Sequence, residues 1–268
     1  MKRIVIAVLC FLVSLLTVSC SKMDLLFNNG EPVTEQRVLG QRFNAISMYN
    51  NVNVKLVHDN HPRLELTCPE NLIDKVTTEV QGDTLIIKNE NEFNWLRSYD
   101  YSIDLTVYYD SLREITYTSI GELRCTDSLR GYGTLSIDTI SIDTLNIDTI
   151  EAHWNRGFVL RIKEGSGDID LCLNCDVLKT VFSFGTSKVT LHGIAGYTEH
   201  YVKSYGCIHA EALNSNIVKV MSESTNDTYV WARSQLVAHL TSIGNVYYKG
   251  HPWIQQYCQG EGQVIKLE

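Results

Sequence analysis

The sequence predicts an all-β chain: a β-solenoid of the right-handed parallel β-helix type, preceded by an N-terminal β-rich lobe. Three observations point there. No segment sustains a 3.6-residue apolar period, so amphipathic helices are not expected. Short runs alternate apolar with polar residues between turn signals, as in Val52, Val54 and Leu56 around Asn53 and Lys55. And one short phrase recurs: Gly165-Ser166-Gly167, Ser183-Phe184-Gly185, Ser204-Tyr205-Gly206, Ser242-Ile243-Gly244 and Gly260-Glu261-Gly262.

The last glycines of these phrases are Gly167, Gly185, Gly206, Gly244 and Gly262, spaced by 18, 21, 38 and 18 residues. Asn226 divides the long gap. A period near 20 made of β-formers indicates stacked rungs, since one unit cannot bury its own apolar face. Aliphatics follow two residues after most of these glycines (Ile169, Ile208, Val246, Val264), and four and six residues after Gly185 (Val189, Leu191). A two-residue insertion preserves strand parity. The glycines and Asn226 are therefore expected to be rung corners with φ > 0, where Gly and then Asn are the favoured residues.

Ahead of the repeat, Lys2 and Arg3 precede an apolar run from Ile4 to Leu16. Its 13 residues suit a secretory signal better than a membrane span, which needs about 20. The run leads to Leu16-Thr17-Val18-Ser19-Cys20, which resembles the lipobox of bacterial lipoprotein signals, although leucine stands four residues before the cysteine instead of three. This reading makes residues 1–19 a signal peptide, Cys20 an acylation site and residues 20–40 a polar tether. The domain proper then spans 41–268, with a lobe at 41–110 and stacked rungs at 111–268. Within the lobe, strands are expected at Val52–Leu56, Leu64–Thr67, Val76–Val80, Leu85–Lys88 and Ile103–Tyr109, with a helical turn after Pro69. Gly121 begins the rungs, and the 46 residues to Gly167 leave room for two long ones. Between them Ile-Asp-Thr repeats three times from Ile137; its five-residue period requires bends, which Asp-Thr supports through side-chain-to-backbone bonds.

The formal net charge is −8. An acidic surface argues against nucleic acid and anionic lipid as partners of the folded part. Cys68, Cys125, Cys172, Cys175, Cys207 and Cys258 remain after the signal and Cys20; disulfides and buried free thiols are both compatible with their scattered positions. Cys172 and Cys175 lack the second pair that a zinc site needs.

The order of these features resembles the head-GIN-domain family, named as auto-transporter adhesins and common among bacterial envelope lipoproteins. The residues that carry the resemblance are Arg42 and Ile46, the strand at Val52–Leu56, and Glu70-Asn71-Leu72 followed by Leu85-Ile86-Ile87. The rungs continue it to an ending of Leu236, Ser242, Gly244-Asn245-Val246, Tyr248, Gly250, Pro252, Gly260 and Gly262. The resemblance implies an adhesin label, with no established ligand or catalytic residues.

Candidate chemistry is sparse. Asp168 and Asp170 follow a Gly-x-Gly, yet the other corners carry Thr186, Cys207, Asn245 and Gln263, so no acid ladder for calcium forms. The same two acids could serve a carbohydrate-cleaving β-helix enzyme, but no further constellation accompanies them. No phosphate loop, zinc pair or nucleophile elbow occurs. His192, His200, His209, His239 and His251 are dispersed. The expected protein has no catalytic residue, metal or cofactor. Its expected role is binding, adhesion or scaffolding at the cell envelope, outer membrane included, with a glycan or envelope protein as partner; a passive structural or regulatory role is the remaining class. Tyr197, Tyr201, Tyr205, Tyr229, Trp231, Tyr247 and Tyr248 form the candidate binding strip, since exposed aromatics give contact area at low entropy cost.

The lipobox-like ending generates a direct test. Cys20→Ala should release the protein from the membrane pellet on cell fractionation, and retention equal to the parent's would contradict acylation there.

Overall fold

Residues 29–91, 101–130, 157–203 and 205–268 are described by the computed structural model. The signal segment, Cys20, Ser204 and the Ile-Asp-Thr copies lie outside them. Alternating side chains become strands as expected. In order they are β1 (Pro32–Val38), β2 (Ala45–Asn50), β3 (Asn53–His58), β4 (Arg63–Pro69), β5 (Val76–Gln81), β6 (Thr84–Asn89), β7 (Asp104–Tyr109), β8 (Glu114–Ser119), β9 (Leu123–Cys125) and β10 (Leu129–Arg130). They continue as β11 (Phe158–Gly165), β12 (Ile169–Phe182), β13 (Lys188–Val202), β14 (Cys207–Ser222), β15 (Thr228–Leu240), β16 (Val246–Lys249), β17 (Trp253–Cys258) and β18 (Val264–Lys266). One helical turn, α1 (Glu70–Ile73), follows Pro69.

The chain coils so that each rung contributes to two parallel ladders. Ladder one runs β6, β2, β8, β11, the second halves of β12 to β15, and β17. Ladder two runs β7, β3, β9, the first halves of β12 to β15, then β16 and β18. The long strands pass from one ladder to the other at Asp176, Gly196 and Asn216, which the pairing skips. Antiparallel strands finish the N-terminal end, with β4 against β7, β1 against β4, and β5 against β6.

Register turns the repeat into columns. Leu105, Val54, Leu123, Ile169, Val189, Ile208, Thr228, Val246 and Val264 are successive partners down ladder two. All but Val264 are buried, and inward side chains of both ladders form one core from Phe43 to Val246. A fully buried aliphatic side chain contributes roughly 1.5–3 kcal/mol, so stacking supplies what a single rung lacks.

The corner column is Gly121, Gly167, Ser187, Gly206, Asn226, Gly244 and Gly262, because those residues precede the paired aliphatics by two. Two expectations are corrected here. First, Gly185 falls two residues before this column in its rung, and Ser187 takes its place. Second, positive φ is not the reason for the repeat: of the expected corner residues only Gly185 has it (φ 120°), while Gly167, Gly206, Asn226, Gly244 and Gly262 do not. The constraint is proximity between rungs. A Cβ on Gly244 would stand 2.3 Å from the Asn226 carbonyl oxygen, and one on Gly262 2.3 Å from that of Gly244. The serine of the phrase acts locally: the hydroxyl oxygens of Ser119 and Ser224 accept the N–H of Gly121 and Asn226, each at 3.0 Å. A side-chain ladder runs beside the corner, where Oδ1 of Asn53, Asp227 and Asn245 accepts the N–H of Glu122, Asn245 and Gln263 in the next rung at 3.0, 2.8 and 2.9 Å.

Three further boundaries differ from expectation. The tether stops short of residue 40: β1 lies within it, and Arg37 donates from Nη1 and Nη2 to the carbonyls of Val76 and Ile73 at 2.5 and 3.2 Å. The step from lobe to rungs at 110/111 is no break, since β2 and β3 pair directly with β8 and β9. Gly121 and Gly167 belong to neighbouring rungs, because Leu123 pairs with Ile169, so the 46 residues between them amount to one step of the stack.

Gly244→Ala should therefore destabilise by roughly 1–3 kcal/mol through overpacking, although its φ suits alanine. Gly40→Ala, where nothing lies within 4 Å, should stay within about 0.5 kcal/mol of the parent. Equal melting temperatures for the two variants would refute the proximity argument.

Candidate functional site: an outward face of side-chain ladders

In-register parallel pairing stacks outward side chains as well as inward ones. On the outer side of ladder two the row is Lys55, Arg124, Asp170, Thr190, His209, Tyr229, Tyr247 and Ile265. His209 and Tyr229 stack with centroids 4.7 Å apart and planes 6° apart; Tyr229 and Tyr247 follow at 5.0 Å and 12°. Rings at this spacing cover each other's faces. What they offer to solvent is ring edge and phenol hydroxyl, so the row suits hydrogen bonding better than sugar stacking. Partial burial raises the Tyr229 phenol above its ordinary range.

The expected aromatic strip is divided by the fold. Tyr229, Trp231 and Tyr247 are half-buried on the outer side of ladder two. Tyr248 points inward and packs against the core. Tyr197 is buried with Val177 and Ile217 in a separate cluster. Tyr201 lies on ladder one, where its hydroxyl donates to Glu223 at 3.0 Å and Lys203 pairs with the same carboxylate at 3.2 Å. Tyr205 is 63% exposed at a corner tip. His209, absent from that strip, completes the stack; it directly follows Ile208 as Tyr229 follows Thr228 and Tyr247 follows Val246, a signal the repeat period carries. A second stack, His239 on Tyr257 at 4.6 Å, stands on ladder one.

The other candidates fall out separately. Asp168 and Asp170 are both exposed, and Asp170 Oδ1 lies 3.1 Å from His192 Nε2. Among the described residues no three His, Cys, Asp or Glu side chains gather where they could hold a metal ion. The six cysteines are free thiols, with Cys68 and Cys175 buried, and burial pushes Cys175 up to about 12. The Cys125 sulfur accepts the N–H of Cys172 at 2.9 Å between neighbouring rungs.

Residues 42–252 match the family described as "Putative auto-transporter adhesin, head GIN domain", and the chain belongs to it. Among solved structures it is similar to a "putative adhesin" of Bacteroides fragilis NCTC 9343 (18% identity, 88% of this chain and 97% of that one, TM-score 0.69). It is also similar to a "putative lipid binding protein" of Parabacteroides distasonis ATCC 8503 (19% identity, 90% and 98%, TM-score 0.58). A "putative adhesin" of Parabacteroides merdae ATCC 43184 matches at 18% identity over 90% and 98%, with a TM-score of 0.51. At these identities the likeness is one of fold. No curated protein matches.

His200, which the sequence left as a dispersed histidine, is a core residue. It is 1% exposed in the ladder-one column between Thr180 and Val220, and neither ring nitrogen has a hydrogen-bond partner. Burial lowers its pKa from 6.5 to about 4. The unfolded imidazole thus binds a proton that the folded one refuses between those values. Stability from this group is complete above pH 6.5 and is lost as pH falls toward 4, by about 3 kcal/mol. Denaturant unfolding of His200→Leu from pH 7 to 4.5 should show a loss smaller by about that amount than the parent's; superimposable pH profiles would contradict it.

Proposed function

We propose that the chain is a non-catalytic, adhesin-like module of the bacterial envelope, held to the membrane by lipid on Cys20, and that it binds a partner through the outer side of ladder two. The observation that carries this is the His209–Tyr229–Tyr247 stack on a sheet face continuous across many rungs. Membership of the head GIN family and the adhesin names of similar structures support the same class. A repeated face presents equivalent groups about 4.8 Å apart, which suits an extended ligand such as a glycan chain or a protein strand crossing several rungs. Its contacts would be hydrogen bonds to phenol hydroxyls and edge contacts, each weak and additive along the ligand.

The enzyme reading has less to stand on. Asp168 and Asp170 lie in the open on a sheet face, and Asp170 is engaged with His192. A lipid-carrier role, drawn from the name of the Parabacteroides distasonis relative, would need an apolar cavity, whereas the inward side chains pack into one continuous core.

A glycan and envelope-protein array tests the proposal. Retention should rise with ligand length, and Tyr229→Ala and Tyr247→Ala should each weaken it by roughly 3–10-fold. Retention independent of length and unchanged in both variants would remove this face from consideration, and polysaccharide cleavage lost in Asp170→Asn would reverse the non-catalytic reading.

A further inference from the structure

At the opposite end of the same outer face lies a depression of about 430 Å³ over β7, β3 and β9. Its size falls within the roughly 300–1,000 Å³ typical of small-molecule sites. Two rows of polar side chains line it. In one row Thr106, Lys55 and Arg124 are direct partners on adjacent strands. Two residues earlier, Asp104, Asn53 and Glu122 make the second row.

The first row is unusual for a chain of net charge −8. Like charges placed directly opposite on neighbouring strands repel, and here Lys55 and Arg124 face one another. Arg124 is partly compensated by Glu122 Oε2 at 2.7 Å. Lys55 is exposed and has no ion-pair partner among the described residues. The second row is held in place. Asp104 accepts from Asn53 Nδ2 at 2.9 Å and from the Ser102 hydroxyl at 2.5 Å, which fixes its carboxylate at the rim with lone pairs to spare. The depression thus joins a cationic row with a hydroxyl to an acceptor row about 6.8 Å away along the strands.

We propose that this depression binds an acidic sugar. The carboxylate sits on the Lys55 ammonium and the Arg124 guanidinium beside the Thr106 hydroxyl. The ring hydroxyls donate to Asp104 and Glu122. An inorganic phosphate would satisfy the cations, but its P–OH donors sit on the anion itself and do not reach an acceptor row two residues away along the strands. A neutral sugar would leave the Lys55–Arg124 repulsion in place. A ligand with an anion at one end and hydroxyl donors at the other answers both rows. The proposal goes beyond the binding role assigned to the aromatic stack, and it stands if that stack binds nothing.

Isothermal titration of the full chain with methyl β-D-glucuronide, methyl β-D-glucoside and inorganic phosphate tests it. The glucuronide should bind in the millimolar range, about 10-fold tighter than the glucoside or phosphate. Lys55→Gln, an exposed substitution that should leave the melting temperature unchanged, should weaken the glucuronide about 10-fold. Asp104→Asn should weaken it while leaving phosphate unaffected or improved, and Tyr229→Ala should not alter it. Glucuronide binding no tighter than glucoside, or untouched by Lys55→Gln, would overturn the site. Phosphate binding as tight as glucuronide would overturn the sugar assignment.

Discussion

The rung spacing governs this molecule. Parallel backbone pairing sets each rung about 4.8 Å from the next, and the corners must follow at the same pitch. At the corner glycines the carbonyl of one rung faces the Cα of the next so closely that a methyl group has no room, as at Gly244 above Asn226, while Ser187 and Asn226 hold the corners that admit a side chain. Serine hydroxyls and the Asn53, Asp227 and Asn245 side chains complete the hydrogen bonds that the turning backbone leaves open. Once the corners are held, register follows, and register lines up both the core columns and the outer rows. The aromatic stack on ladder two is therefore a product of the same spacing that demands glycine.

Much of the fold was legible because collisions and burial leave marks in composition. The period near 20, the aliphatic two residues past most of the glycines, and the β5 and β6 strands could all be read directly. What misled was the cause assigned to glycine. Conformational freedom and close approach select the same residue, and sequence alone cannot separate them. Among the expected corner residues Gly185 alone has the positive φ that conformational freedom calls for, and it lies outside the column. β1 was hidden because most of its side chains are exposed, so it carries little apolar alternation, and it is held by its backbone ladder and by Arg37.

The site was less legible for a related reason. Which face a residue occupies depends on the bend at Asp176, Gly196 or Asn216, where one residue drops out of pairing and parity reverses. Tyr197 and Tyr201 lie past such a bend, and Tyr229 and Tyr247 lie before the corresponding point of their rungs. Near neighbours in sequence thus end on different surfaces. The Lys55–Arg124 row was harder still to see, because its partners are 69 residues apart and meet only through pairing between β3 and β9.

Gly121 and Gly167 stand in adjacent rungs although 46 residues separate them. The register on either side, β8 with β11 and β9 with β12, is kept regardless of this length. At that point chain length and architecture are uncoupled: the stack is specified by which strands meet, irrespective of how much polypeptide is spent between them. Rungs joined in this way can differ in the length of chain that connects them while the same strands still meet. The connection between β10 and β11 is thus the place where a change of length leaves the strand pairing as it is.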